Sequence, residues 1–180
     1  MKKLVLFGFI LIGLVMVYMM TSSQSPDVKA KTLIGESIEK ALVHPKSYKP
    51  LETIVDSAFA PFDDPAFYEK TLEICKMNMN ELDDSQAAEV QRNIQELSDM
   101  MGTEYRFIGF KVVHCYSAQD AKGEPFVGEK VFIIDKDVNT IIAEYDTDSL
   151  DYIMVQTMYH LWREESINRV LTVSENPNNG

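Results

Sequence analysis

The run that most limits this chain is residues 4–20, LVLFGFILIGLVMVYMM, unbroken in its apolarity apart from two glycines and a tyrosine. Lys2 and Lys3 are the only charges before it, and the first acidic residue is Asp27. Two lysines followed by such a run are the layout of a secretion signal or an N-terminal membrane anchor. Seventeen residues sit at the short end of the about 20 that cross a bilayer core. With no charge before Asp27, however, the span can extend into the Thr-Ser-Ser-Gln-Ser stretch that follows. Thr21 and Ser23 would serve a signal peptidase only modestly, so an uncleaved anchor is the first reading and a cleaved signal the second. No cysteine follows the run closely, which excludes a lipoprotein anchor. The leading lysines favour an N-terminus inside and a domain outside the cytoplasm. The expected location is therefore the cell envelope, with the domain either anchored in the inner membrane through residues 4–20 or secreted to the periplasm.

Beyond the two leading lysines, 15 basic residues face 28 acidic ones, a net of −13. A domain that acidic repels phosphate backbones and anionic lipid surfaces, so nucleic acid is excluded as a partner. The 180 residues suffice for one domain with a real core. Cys75 and Cys115 are the two thiols. In an oxidising compartment such a pair is a disulfide candidate, against the alternative of two separate free thiols.

The pattern divides the chain into the signal or anchor (1–20), a Ser-rich tether (21–26), one domain (27–173) and a polar, disordered tail (174–180). Ala30, Ile34, Ile38 and Ala41 follow helical spacing, and the helix must stop before His44-Pro45. Thr53, Ile54 and Val55 suit a short strand. Asp64-Pro65 is a helix start, and Tyr68, Leu72, Cys75, Met79 and Leu82 form its stripe. After the capping cluster at Asp83, Asp84 and Ser85 the stripe resumes at Ala87, Val90, Ile94, Leu97 and Met101, closed by Gly102. This spacing predicts two consecutive helices or one kinked helix. It is too brief for a coiled coil, and Met77, Met79, Met100 and Met101 suit adaptable packing. From Tyr105 the residues become aromatic and β-branched, predicting a strand through Ser117, then strands over 130–134 and 140–145. Helical spacing returns from Leu150 to Leu161, with Asp148 as the expected cap. The order predicts an α+β fold: an antiparallel sheet of three to four strands packed against helices, which cover one face.

Several clusters could carry chemistry. His114, Cys115, Tyr116 and Ser117 fall together, but neighbours on a strand point to opposite faces. His114 therefore shares a face with Tyr116 and not with Cys115, which denies the thiol its nearest base. His114 and Tyr116 are what remains of a catalytic candidate. Asp135, Asp137 and Asn139, followed by Ile142 and Asp146, match oxygen-ligand positions of an EF-hand loop. Thr140 stands where the loop needs glycine, Asp146 is shorter than the usual Glu, and strands flank the loop. A polar hairpin turn explains the pattern better. Asp146, Asp148 and Asp151 could hold a metal or act as acid and base, yet acidic residues gather at helix starts for capping alone. There is no G-x-S-x-G, H-E-x-x-H, Gly-rich phosphate loop or C-x-x-C. No cofactor is implied.

Two stretches, ALVHPKSYKPLETIVDSAF (41–59) and GFKVVHCYSAQDAKGEPFVGEKVFIIDKD (109–137), together resemble uncharacterised short exported proteins typical of Bacteroides-like bacteria, a domain of unknown function. The shared features are L-x-x-P-x-S-Y-x-P, a His-x-Tyr-like strand end, a glycine loop and an F-x-x-D strand. The chain departs at His44, where the family usually has Asp, and at Asp120, where Asn is common. The resemblance implies an α+β fold, an exported location and one patch formed by Pro45, Ser47, Tyr48, His114, Tyr116 and Gly123. It supplies no reaction, and Pro-x-Ser-Tyr-x-Pro also serves simply to shape a helix-to-strand corner.

The sequence therefore points to a non-enzymatic envelope interaction domain for a protein, peptide or glycan. The alternatives are a small extracytoplasmic hydrolase using His114 and Tyr116, or a weak calcium-binding domain at Asp135, Asp137 and Asn139.

Overall fold

The computed structural model describes residues 25–77, 82–102 and 105–175, and of 165–175 the backbone alone. The expected anchor at 4–20 lies outside these; among the described residues no helix is long and apolar enough to cross a membrane. Helix α1 spans Pro26–Ala41. Its N-cap is Ser25, whose hydroxyl accepts the Val28 N–H, and Pro26 occupies the first turn, so the last two residues of the expected tether already belong to the helix start. Ala30, Ile34 and Ile38 form its buried stripe. The chain then makes a single 3₁₀ turn at Pro45–Ser47.

Strand β1, Lys49–Ala60, is far longer than the expected short strand. It tolerates Pro50 because it lies at the sheet edge, where a missing N–H costs no ladder bond. Helix α2 spans Pro65–Lys76, capped by the Asp64 carboxylate on the Ala66 N–H. Helix α3 spans Asp84–Met101, held at its start by a capping box between Asp83 and Gln86. The expected two helices form, but their inner faces are Phe67, Tyr68 and Thr71, then Val90, Asn93 and Leu97. Of the expected stripe, Tyr68, Val90 and Leu97 are buried and Leu72 and Met101 pack against their cluster, whereas Ile94 is 49% exposed and Phe67, Thr71 and Asn93 lie outside that stripe. Met79 lies outside the described residues.

Strands β2 (Arg106–Gln119), β3 (Pro125–Asp135) and β4 (Ile141–Asp146) complete an antiparallel meander in the order β1-β2-β3-β4. The β2–β3 connection is shorter than expected, because the Asp120 carboxylate accepts the Lys122 and Glu124 N–H groups and folds the turn tightly. Residues 125–128 thereby join the sheet. Helix α4, Leu150–Glu175, is capped by Ser149, whose hydroxyl accepts the Tyr152 N–H, in place of the expected Asp148. It continues through Ser174 and Glu175, where a tail was expected.

The α+β architecture is as expected, but the sheet is covered on both faces. On one, α1 packs Ala30, Ile34 and Ile38 against Val112, Tyr116, Phe132 and Ile134. On the other, α2, α3 and α4 bring Phe67, Tyr68, Leu97, Val155 and Tyr159 against Val131. The consecutive burial of Val131, Phe132, Ile133 and Ile134 follows, since both faces of β3 are core. Fully burying a side chain such as Phe132 contributes roughly 1.5–3 kcal/mol.

Gly109, opposite Ala58 on β1 and Asp135 on β3, has φ +152°. A Cβ built there would lie 1.9 Å from the Ile134 carbonyl oxygen. Because that atom is backbone of a central strand, no rotamer change relieves the clash. Gly109→Ala is therefore expected to destabilise the fold by about 3 kcal/mol, measured as a lowered urea midpoint; an unchanged midpoint would contradict this reading of the β2–β3 pairing.

Candidate functional site

The α1-facing side of β2 carries the histidine singled out by sequence. His114 is 1% exposed, and both ring nitrogens are engaged. Nε2 shares a hydrogen bond with the Tyr48 hydroxyl at 2.9 Å, and Nδ1 shares one with the Thr53 hydroxyl at 2.8 Å. Register explains the second partner, because Thr53 stands directly opposite His114 in the β1–β2 ladder. The first comes from the corner after the 3₁₀ turn, which tips Tyr48 back over the sheet. Hydroxyls donate or accept, so the ring is satisfied in either neutral tautomer. Burial lowers the His114 pKa, and opposite it on β3 stands Lys130. Burial would lower the Lys130 ammonium too, but its bonds to Asp146 and Glu144 outweigh that and raise it.

Tyr116 lies two residues along β2, its ring stacked at 6.0 Å on His114 and at 5.9 Å from Tyr48. Gly128 permits this, since a Cβ there would come within 2.8 Å of the Tyr116 ring. Burial pushes both phenols up, with Glu39 adding to the effect on Tyr48. The three rings make a closed polar seam between α1 and the sheet. A hydrolytic role for His114 and Tyr116 would require substrate to reach a ring whose nitrogens are both occupied and which solvent barely touches.

Of the remaining patch residues, Pro45 and Ser47 lie at the corner itself. The Ser47 hydroxyl donates to the His44 carbonyl at 2.6 Å and accepts the Gln119 N–H at 2.9 Å, tying the corner to the end of β2. Gly123 stands apart, in the β2–β3 turn with φ +84°. An open cleft of about 450 Å³ lies beside the corner, lined by Val43, His44, Pro45, Lys46, Ser47 and Gln119.

The metal candidates are differently employed. The Asp135 carboxylate accepts the Asn139 and Thr140 N–H groups, both at 2.7 Å, closing the β3–β4 turn in which Val138 has φ +56°. Its slight burial works to raise the Asp135 pKa, but these backbone bonds outweigh that and lower it. Asp135 thus acts as a turn residue with Asp137 and Asn139 in the same hairpin, and among the described residues no group of three or more His, Cys, Asp or Glu is placed to hold a metal ion. The acidic trio also separates, Asp146 pairing with Lys130 and Asp151 with Lys76. Cys75 and Cys115 are both free in this structure. Cys75 sits in the last turn of α2, a helix that packs on α3 and α4, whereas Cys115 lies mid-strand between Glu52 and Glu129.

Sequence reasoning missed Thr53, the Lys130–Glu144–Asp146 cluster, and a group of tyrosines on the opposite face. Tyr68 stacks on Tyr145 at 4.2 Å and lies near Tyr152. With Tyr159, Lys111 and Asp63 they surround a void of about 10 Å³, room for no more than a water. Burial, then Tyr68, Asp63 and Glu129, push Tyr152 up to about 12. Only the register, which a single strand's residues do not reveal, could have signalled Thr53.

A histidine held neutral by the fold makes stability depend on pH. The unfolded chain binds a proton at about 6.5, and the folded chain resists it. The contribution of His114 is therefore complete above that value and is lost as pH falls below it towards the lowered folded pKa. Urea unfolding between about pH 8 and about pH 5 should show a stability loss that is smaller in His114→Gln. Tyr48→Phe, which leaves Nε2 buried without its partner, should cost about 1–3 kcal/mol at neutral pH. Equal pH slopes in wild type and His114→Gln would count against a neutral buried ring. Compared with known proteins, the chain matches no family model, and no curated protein or solved structure shows significant similarity to it.

Proposed function

We propose that the chain is a non-enzymatic interaction domain of the bacterial envelope, held at the membrane by residues 4–20 or released from it, that binds a protein, peptide or glycan. Kinship with the uncharacterised exported proteins it resembles is part of the same proposal. The observation that carries the reading is the state of His114: the most reactive-looking side chain on the sheet is sealed and doubly hydrogen-bonded. A general base must reach the proton it removes, and this ring is committed to holding Tyr48 and Thr53 in place. The open cleft at the corner supports the binding half of the proposal. Val43 and Pro45 offer apolar surface beside the exposed polar groups of His44 and Lys46, a mixture suited to an extended peptide or a sugar.

The test uses the purified full chain against nitrophenyl esters, fluorogenic peptides and soluble oligosaccharides. Turnover should stay at the uncatalysed rate for all three. Fluorescent peptides and oligosaccharides from the same panel should bind, and Lys46→Glu should weaken that binding about tenfold. Hydrolysis that disappears in His114→Gln, with the circular dichroism spectrum intact, would replace this reading with the hydrolase.

A further inference from the structure

The outer edge of β1 is the longest unpaired backbone in the described fold. No described strand hydrogen-bonds to it, and none of its first nine residues, 49–57, is buried. Leu51 is 58% exposed and Ile54 is 49% exposed. An uncovered edge of this length is a template for another strand. Edges are blunted by proline, bulges and charge, and β1 has all three. Here those devices leave one pairing favoured.

The bulge is the decisive feature. Lys49 pairs with Ser117, Glu52 with Cys115, Ile54 with Val113 and Asp56 with Lys111, so the extra residue Leu51 resets the alternation. Lys49 therefore projects on the same face as Glu52, Ile54 and Asp56, where regular alternation would have put it on the opposite one. Lys111 meanwhile pairs with Asp63, and neither Lys49 nor Asp56 forms an ion pair with any described residue.

We propose that β1 pairs antiparallel with β1 of a second copy, about a two-fold axis at Thr53. This register sets Glu52 opposite the partner copy's Ile54, and the Pro50–Leu51 bulge opposite its Val55. Lys49 then falls opposite the second copy's Asp56, and by symmetry the reverse, giving two ion pairs per dimer. Moving the axis by one residue to Ile54 sets Glu52 against Asp56 twice, and like charges directly opposite are destabilising. Charge complementarity thus selects a second copy and one register. The eight strands would form one continuous sheet.

Sedimentation velocity of the full chain in excess detergent micelles tests this. Wild type should dimerise. Asp56→Lys and Lys49→Asp should each weaken the dimer on the order of tenfold or more, and the combined swap should restore it. Circular dichroism checks each variant, and because both positions are exposed either single change suffices if the other misfolds. A wild type that stays monomeric over the concentration range overturns the proposal. So does a dimer indifferent to both single swaps, or one that the double swap fails to recover.

Discussion

The contact on which most of this structure depends is the double hydrogen bond at His114. A buried imidazole left unpaired would cost about 1–3 kcal/mol for each unsatisfied polar group. Engaging both nitrogens removes that cost only if Tyr48 and Thr53 are held where they are. Thr53 fixes the register of β1 on β2, and Tyr48 fixes the corner that joins α1 to β1. The Ser47 hydroxyl, bonded to the His44 carbonyl and to the Gln119 N–H, locks that corner from the other side. The corner, β1 and β2 are thereby indexed to one ring, whose two partners stand 66 and 61 residues from it in sequence. An apolar residue in place of His114 would fill the space without choosing between neighbouring registers.

With β1 in place, β2 and β3 become central strands, and the consequence is a sheet needing cover on both faces. One helix suffices on the α1 side because Val112, Phe132 and Ile134 converge under Ala30, Ile34 and Ile38. The other face takes three helices, and its aromatic side chains meet both stacked, as Tyr68 on Tyr145, and edge to face, as where Phe67 crosses Tyr159 at 87° with centroids 5.3 Å apart. Of the first part of β1, only Val55 packs against either cluster. That strand is held by its ladder to β2 and by the histidine clamp, and its exposed edge follows from where the helices stop.

The sequence made the elements legible wherever local chemistry decides them. Asp64 and Asp83 cap their helices through their own side chains, and the α1 stripe emerges in Ala30, Ile34 and Ile38, which periodicity marks. What it concealed depends on packing. Phe67 and Thr71 are fully buried on α2 while Leu72 only packs at the margin of the same cluster, because the sheet and α4 select the face of α2. The cover on the second face was hidden for the same reason. A reader of residues 130–135 sees a short apolar run, which fits a one-sided strand with an irregular pattern as well as a fully buried one. Of the site, the pairing of His114 with Tyr116 on one face and the exclusion of Cys115 follow from alternation alone. Thr53 and the seal over the ring required the register.

That distinction bears on what reactive side chains mean in a small domain. A histidine beside a phenol invites a catalytic reading because both titrate and both transfer protons. The fold turns the same properties to a structural end: a neutral imidazole is a rigid, bidirectional connector whose two nitrogens point outwards from one plane, so it can join strand to strand and strand to corner at once. Burial that suits this role lowers the histidine pKa and raises those of its tyrosines. All three shifts favour the uncharged forms and hold the seam uncharged. A catalytic histidine needs the opposite environment, with one nitrogen open to substrate and a carboxylate or other group orienting the second. At His114 hydroxyls occupy both places, and no carboxylate among the described residues bonds to the ring.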